Sequence, residues 1–589
     1  MAGFAARTTP EQLPGCGLQG AILADVDQPG PRQTAPSVLM PADVTAVGSG
    51  TALADGAAAA RRLRVRDRRP KTPAAGAWLN WDRAETARTT VATNVSGAAL
   101  TAMILISLLI VSLASSHTSF LSPTSRPGDY PAWIAGPLGT LTSWMTFSST
   151  TLAAVFTAGV AVMYLAYVAV LICAPRVRPA YALTAVVALQ VIFFLSPPLP
   201  LTDIFNYLNY GRMEIVHHLN PYTTIPALEP HNDPTFALSN WHGLESPYGP
   251  LLTLIAMAVV PLGVAGSFWA LKTALLLTSL GSVWLIWSSA GLLGRNRLGA
   301  ALFLGLNPIV LIWGLGADHS DFLMVFMITL AMFMLIQARV RRARLHPGPN
   351  DGALAATIVG LRAGWRRAVT WIDGAPRPLG RPQPGWWWEL SAGILLAGAV
   401  AIKASAIILI PVVLAGSARR LRLAGGLLIG AVGLGAASIA AFGLNTPDLS
   451  QQNALVIPSS IPNVVGYIVG AGGDTLGVRA AFTITLVLAV AICTIWAWRS
   501  QDWLLPCACA TLAVLVTLSW ELPWYLIWLL PFAALARGRR IRLAALVLGV
   551  YMFLGSMPYA TSFEKAIGLH PNSTIVGRTD QRFLHGVLF

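Results

Sequence analysis

Asp203, in the stretch LSPPLPLTDIFNYLNYGRMEIVHHLNPYTT (195–224), is the first residue that a mostly apolar chain offers for acid–base chemistry. It follows an apolar run ending near Leu195 with no basic residue between, which sets it just past a membrane span, on the face opposite the basic loops. A carboxylate there can take a proton from an attacking hydroxyl. It can also cap the helix that follows, and the residues alone leave both readings open. A second cluster, Asp318, His319 and Asp321 in GADHSD, puts two acids and an imidazole at the tip of a tight hairpin, where lipid contact explains none of them. They suit the orientation of an acceptor or a cation, with helix capping by Ser320 or Asp321 as the structural alternative. Lys403 stands as a single lysine inside apolar helices, between Ala399 to Ile402 and Ala404 to Ile410, where an unpaired ammonium is costly. A donor phosphate would neutralise it; so would a carboxylate, or a reach to the interface. Asn206, Arg212, His217 and Tyr248, all near Asp203 in the chain, complete the candidate substrate contacts.

Those residues need elements to hold them. From Asp203 onward Ile204, Leu208, Gly211, Ile215 and Leu219 recur at helical spacing while Asn206, Asn209, Arg212 and His217 fall elsewhere, a pattern that predicts an amphipathic helix lying on the membrane surface. It opens an outer loop at 198–250, the expected catalytic loop, whose SPPLP, HHLNPY, HNDP and SPYGP segments force turns. The wider chain suits a bilayer: 55% of its residues are hydrophobic and 11% charged, with mean hydropathy +0.62, whereas soluble domains carry about 25% charge. The net charge of +15 comes from Lys and Arg gathered in loops of one face, which reads as cytoplasmic. Topology accounts for the basicity, so nucleic acid is not an expected partner. Residues 1–95 read as a disordered basic cytoplasmic arm, 96–557 as the membrane domain and 558–589 as an extracytoplasmic tail. Within the domain, 339–388 is a cytoplasmic loop rich in Arg and Pro, closed by Trp386, Trp387 and Trp388 at the interface.

Apolar run lengths predict an all-α polytopic bundle of about 12 to 14 membrane helices. Two places are irregular. The stretch from Leu251 to Leu293 looks like two helices around Pro261 and Gly263, yet its flanking charges require an odd number of crossings, so one segment is re-entrant or a break is hidden. Between Leu390 and Ala415 two half-length helices meet at Lys403. The cysteines supply no disulfide framework. There is no phosphate-cradling GxxxxGK loop, GxSxG elbow or dinucleotide fingerprint, and no HExxH-like spacing among His217, His218, His231, His242 and His319. No cofactor is demanded, and a divalent cation stays open.

The segments DIFNYLNYGR, HLNPYTT, SPYGPLLTL, LNPIVLIWGLGADHSD and GAVAIKASAIILIPVVL resemble the actinobacterial polyprenyl-phosphomannose-dependent α-(1→6)-mannopyranosyltransferases of lipomannan assembly, which are GT-C class membrane glycosyltransferases. The resemblance runs over roughly residues 95 to 557. It implies a GT-C-like bundle in the plasma membrane, with interfacial helices, structured extracytoplasmic loops, a cytoplasmic N-terminus and an extracytoplasmic active site. It also implies a polyprenyl-phosphomannose lipid donor, a mannan glycolipid acceptor of lipomannan or lipoarabinomannan, and inverting transfer, with Asp203 matching the acid of the first catalytic loop. One carboxylate suffices for that chemistry, because phosphate leaves as a stable anion and needs no general acid, unlike a glycoside. Another polyprenyl-phosphosugar transferase, such as an arabinofuranosyltransferase, shares the style of these motifs. A secondary transporter or lipid flippase is the alternative of a different class, since half-helices around a charge also serve transport.

Overall fold

Long apolar runs leave a backbone in lipid few ways to satisfy its polar groups, and the α-helix is the one a single segment can adopt alone. The computed structural model describes residues 90–115, 131–139, 147–199, 203–345, 387–450 and 452–570, all within one unit, Gly76–Phe589. Among the described residues every regular element is helical. The expected arm up to residue 89, the heart of the basic loop at 346–386 and the tail beyond 570 lie outside the described residues.

The helices are α1 (Thr90–Ala114), α2 (Ala132–Gly139), α3 (Ser149–Cys173), α4 (Pro179–Phe194), α5 (Asp203–His217), α6 (Pro250–Val259), α7 (Gly263–Leu292), α8 (Arg297–Gly305) and α9 (Asp321–Leu345). They continue as α10 (Trp387–Ile402), α11 (Leu409–Gly416), α12 (Arg420–Phe442), α13 (Ile461–Ile468), α14 (Leu476–Ser500), α15 (Leu504–Thr517), α16 (Leu526–Leu535), α17 (Arg539–Gly555) and α18 (Ala560–Ala566). Among the described residues six stretches are long and apolar enough to cross a membrane: α1, α3, the run through α6 and α7, α9, α12 and α14. A seventh is α8 with the π-helical turn Val310–Gly316, a pair bent by 56°. The protein is thus a polytopic all-α membrane protein, and the expected 12 to 14 segments are approached only by counting shorter apolar helices such as α4, α10 and α15 with the long ones.

Burial separates centre from rim. The apolar window of α9 is 56% buried, against 17% for α12 and 11% for α14, whose exposed Leu428, Val432, Leu488 and Ile492 form a lipid-facing surface. At the centre α16 is buried along its whole length, and α8 from Leu298 onward.

Both irregular places have a local cause. Pro261 and Gly263, the latter at φ +72, break the 251–293 run. This leaves α6 with 10 residues and α7 with 30, about 15 Å against about 45 Å at 1.5 Å per residue. Of the two pieces only α7 has the length to cross a bilayer, so the expected break is present and α6 is the short segment. The short α6 lies against α5 and docks on the end of α10. A Cβ on Gly211 would stand 2.7 Å from the backbone of Ala256, and one on Gly249 2.2 Å from Ala401 O. Gly249 N also donates to Ile402 O at 3.0 Å. At Lys403 the backbone is extended (φ −147, ψ 122) between α10 and the 3-10 turn Ala404–Ile408, so two half-length helices do meet there.

The amphipathic expectation for α5 is corrected. Ile204 through Gly211 are all buried, Asn206 and Asn209 included, while Ile215 and Val216 at the far end are each 43% exposed. The outer loop folds back over the helix and pairs the amide oxygens of its polar face: Asn206 Oδ1 accepts from Asn240 N at 3.1 Å and Asn209 Oδ1 from Thr235 Oγ1 at 2.7 Å, while the Nδ2 groups of both are buried without a hydrogen bond. This helix is a packed element under a loop, and its polar residues face that loop.

Candidate active site

The chain leaves α4 and reaches Asp203 through a segment pinned to the hairpin ahead of α9, where Leu199 N donates to Gly316 O at 2.9 Å. That pin sets Asp203 against the turn at 317–320. His319 Nδ1 lies 3.4 Å from Asp203 Oδ2, with the imidazole sealed from solvent and the Asp203 side chain 14% exposed. The imidazole stacks on Trp524, ring centroids 3.7 Å apart and planes at 13°, so a third segment fixes its orientation. Neither ring nitrogen has a hydrogen bond, and 3.4 Å is longer than a full one. Among the described residues, His319 is the ionic partner of the Asp203 carboxylate, and no helix amide donates to that carboxylate. Capping therefore does not account for it.

Phenols surround the acid. Burial first, and the Asp203 charge second, push the hydroxyls of Tyr207, Tyr210 and Tyr248 up from their ordinary value, which keeps them neutral. Tyr207 Oη accepts from Ser320 N at 3.3 Å and its ring meets Tyr248 edge-on at 4.9 Å. Tyr248 thus sits beside Asp203, in a narrow cleft shared with Tyr207, Tyr210, Ser246 and Thr253.

Asp318, His319 and Asp321 are neighbours in the chain but meet different partners. Asp318, at φ +56, faces Lys272 of α7 at 3.4 Å; burial raises its carboxyl to about 6 against the opposing pull of Lys272 and His319. Asp321 turns the other way, receiving Lys403 Nζ at 3.0 and 3.1 Å and the indole N–H of Trp528. Lys403 is covered by the Tyr525 and Trp528 rings, 4.6 and 5.1 Å from their centroids. It is therefore a paired ammonium, the carboxylate alternative for its neutralisation. Neither Ser320 Oγ, which is buried without a hydrogen bond, nor the Asp321 carboxylate caps α9. The three groups do not converge on one point, and among the described residues no group of three or more His, Cys, Asp or Glu could hold a metal ion.

The other expected contacts are engaged within the loop. Arg212 donates to Asp233 through Nε at 3.0 Å and Nη2 at 2.7 Å, and His217 Nε2 meets the same carboxylate at 2.8 Å. Burial pushes Asp233 up, but the bonds from Arg212, Thr235 and His217 outweigh it and hold the carboxyl well below the usual range. Asn206 is occupied by loop amides. These three hold the lid-like loop onto α5.

A single lysine inside apolar helices was the expectation, and the structure has a second, Lys272, 1% exposed. Its signal is the one that marks Lys403: an ammonium in FWALKTALLL, a long apolar run. Trp524, Tyr525 and Trp528 carry no such signal, because aromatic residues beside an apolar run are ordinary in membrane helices.

A family described as alpha-(1->6)-mannopyranosyltransferase, N-terminal domain, matches residues 105–419, a range that holds Asp203, Lys272, Asp318, His319, Asp321 and Lys403. The alpha-(1->6)-mannopyranosyltransferase A of Mycobacterium tuberculosis is 25% identical over 368 residues, 59% of this chain and 63% of that protein. The protein of the same name from Corynebacterium glutamicum is 27% identical over 160 residues, 26% of this chain and 31% of its own. The chain thus spans less than two thirds of the length of these curated relatives. No solved structure matches. Since the family match takes in over half of the chain, with both Asp203 and His319 inside it, the chain belongs to the alpha-(1->6)-mannopyranosyltransferase family.

Proposed function

We propose that the protein transfers mannose from a polyprenyl-phosphomannose donor to the 6-hydroxyl of an α-(1→6)-mannan glycolipid of lipomannan or lipoarabinomannan, with inversion, at the extracytoplasmic face of the plasma membrane. Asp203 acts as the base: it takes the acceptor hydroxyl's proton as that oxygen bonds to the anomeric carbon and the bond from this carbon to the phosphate oxygen breaks. The electron pair leaves with the phosphate, which needs no proton. Tyr207 and Tyr248 offer neutral hydroxyl and ring surface to the sugar beside the acid. Lys403 faces the donor phosphate. Of the two buried lysines it alone keeps side-chain exposure, 19% against 0% for Lys272, and Asp321 and Trp528 hold it in place.

The observation that carries this reading is the pair itself. A partly exposed carboxylate, free of any capping bond, meets a buried imidazole contributed by a separate hairpin. The test is Asp203→Asn, which keeps size but cannot accept a proton. Thermal unfolding in detergent and donor binding should stay native-like while mannose transfer to a short α-(1→6)-mannoside falls ~10²- to 10⁴-fold. Near-normal turnover would remove Asp203 as the base. Running the same membranes with a polyprenyl-phosphoarabinose donor separates mannosyl from arabinosyl transfer.

A further inference from the structure

We infer that Lys272 and Asp318 are positioning residues for the Asp203–His319 pair; this rests on the reading of Asp203 as the base. Lys272 Nζ donates to Ser196 O at 2.7 Å and stands 3.4 Å from Asp318 Oδ2. Ser196 begins the segment that delivers Asp203, and Asp318 immediately precedes His319. One ammonium therefore joins the two pieces of chain whose separation sets the distance between carboxylate and imidazole. The Phe268 and Trp269 rings lie 5.3 and 5.5 Å from Nζ. Side-chain exposure is 0% for Lys272 and 1% for Asp318, so neither is placed to touch a substrate.

The backbone adds a second, independent observation. Asp318 is at φ +56, a left-handed conformation that costs L-residues free energy and persists where the surroundings over-determine it. Here the constraints are visible: the Lys272 ammonium faces the Asp318 carboxylate at 3.4 Å as an ion pair without a formed hydrogen bond, His319 N donates to Gly314 O at 3.1 Å, and Ser320 N donates to the Tyr207 hydroxyl at 3.3 Å. The turn reverses the chain between the π-helical segment and α9 and carries the imidazole to Asp203. Removing the charge pair loosens that reversal, so the imidazole is held less closely against Asp203, without deleting any group that would meet substrate.

The test is a kinetic cycle in purified, folded enzyme. Asp318→Asn keeps the side-chain size and the tolerance for positive φ but loses the charge; Lys272→Met keeps length without charge. Each is expected to lower kcat about 10- to 100-fold, the scale of a misplacement near 1 Å, with donor and acceptor KM within about twofold of the parent. Each is then combined with His319→Gln, which keeps a polar group at similar reach and a measurable rate. If the pair acts through His319, the second substitution adds nothing to the loss already caused by His319→Gln. Multiplied losses in the double variants overturn the inference, because a general structural defect is indifferent to His319. An undiminished Asp318→Asn enzyme overturns it as well. Should Lys272→Met fail to fold, the Asp318→Asn arm of the cycle decides alone. Asp203→Asn is assayed beside them: normal turnover there refutes the base, whereas a dead Asp203→Asn with multiplied losses in the cycle refutes only the positioning role.

Discussion

At Lys403 the chemistry of a buried ion pair and the chemistry of phosphate binding make opposite demands on a substitution. Lys403→Met alone strands Asp321, 1% exposed, with the Trp528 indole as its remaining donor, and stranding a buried charge costs about 3–5 kcal/mol. Removing both charges, as in Lys403→Met with Asp321→Asn, is much closer to neutral. The double variant is therefore expected to unfold near the parent's temperature, while its KM for polyprenyl-phosphomannose rises at least about tenfold, the scale of one charged contact. A double variant that is stable and has the parent's donor KM would leave Lys403 with a structural role only. At this scale the sequence is legible wherever a charge stands alone in apolar surroundings. Asp203 and Lys403 declare themselves that way, and Lys272 carries the same mark. What such a mark does not contain is the partner: Asp321 lies 82 residues from Lys403 and 207 from Trp528, and only the packed bundle brings them together.

Between α5 and its covering loop, two carboxylates respond to pH in opposite senses. Asp233 is held below its ordinary range, so its pairing stabilises the loop above that range and is lost as pH falls. Glu229 is different: it is 3% exposed, and burial raises its carboxyl from 4.5 to about 7, with Asp233 adding to the rise and Asn209 and Arg212 opposing it. A raised carboxyl is fully accommodated below about 4.5 and its contribution is lost as pH rises through about 7. Hydrogen exchange of segment 218–249 should therefore quicken between pH 5 and about 8, beyond the intrinsic base dependence of exchange. Glu229→Gln should flatten that rise, leaving a loop better protected at pH 8 than the parent's; equal protection at pH 8 would mean that Glu229 ionises there without cost. The same loop is why the burial of α5 departs from its periodicity. Asn206, Asn209 and Arg212 on one side of a helix look solvent-facing when periodicity alone is available. The loop's amides, Thr235 and Asp233 come from its own fold, which no helical period encodes.

Across the whole molecule, charge separates two ends of the bundle. Arg342 pairs with Glu389 at 3.3 Å and Arg339 with Asp502 at 3.5 Å, which gathers the C-terminal end of α9, the start of α10 and the turn after α14 at one end. Lys403 and Asp321 join the opposite ends of α9 and α10, where Asp203 and His319 meet. Arg-rich ends are retained in the cytoplasm, so the site end is expected outside. Run lengths and flanking charges carry that expected polarity, and the break at 251–293 that they call for is present at Pro261 and Gly263, while the short helices that pack inside the bundle blur the number of segments. Two exposed positions test the orientation directly: His231 in the covering loop and Arg297 at the start of α8. A membrane-impermeant maleimide applied to intact cells should label His231→Cys and spare Arg297→Cys until the membrane is permeabilised. Both variants are built on a Cys16→Ser parent, which should give a low background because its other four cysteines, Cys173, Cys493, Cys507 and Cys509, are buried or half-buried. Labelling of Arg297→Cys with protection of His231→Cys would turn the bundle over, put Asp203 in the cytoplasm and exclude an extracytoplasmic transfer.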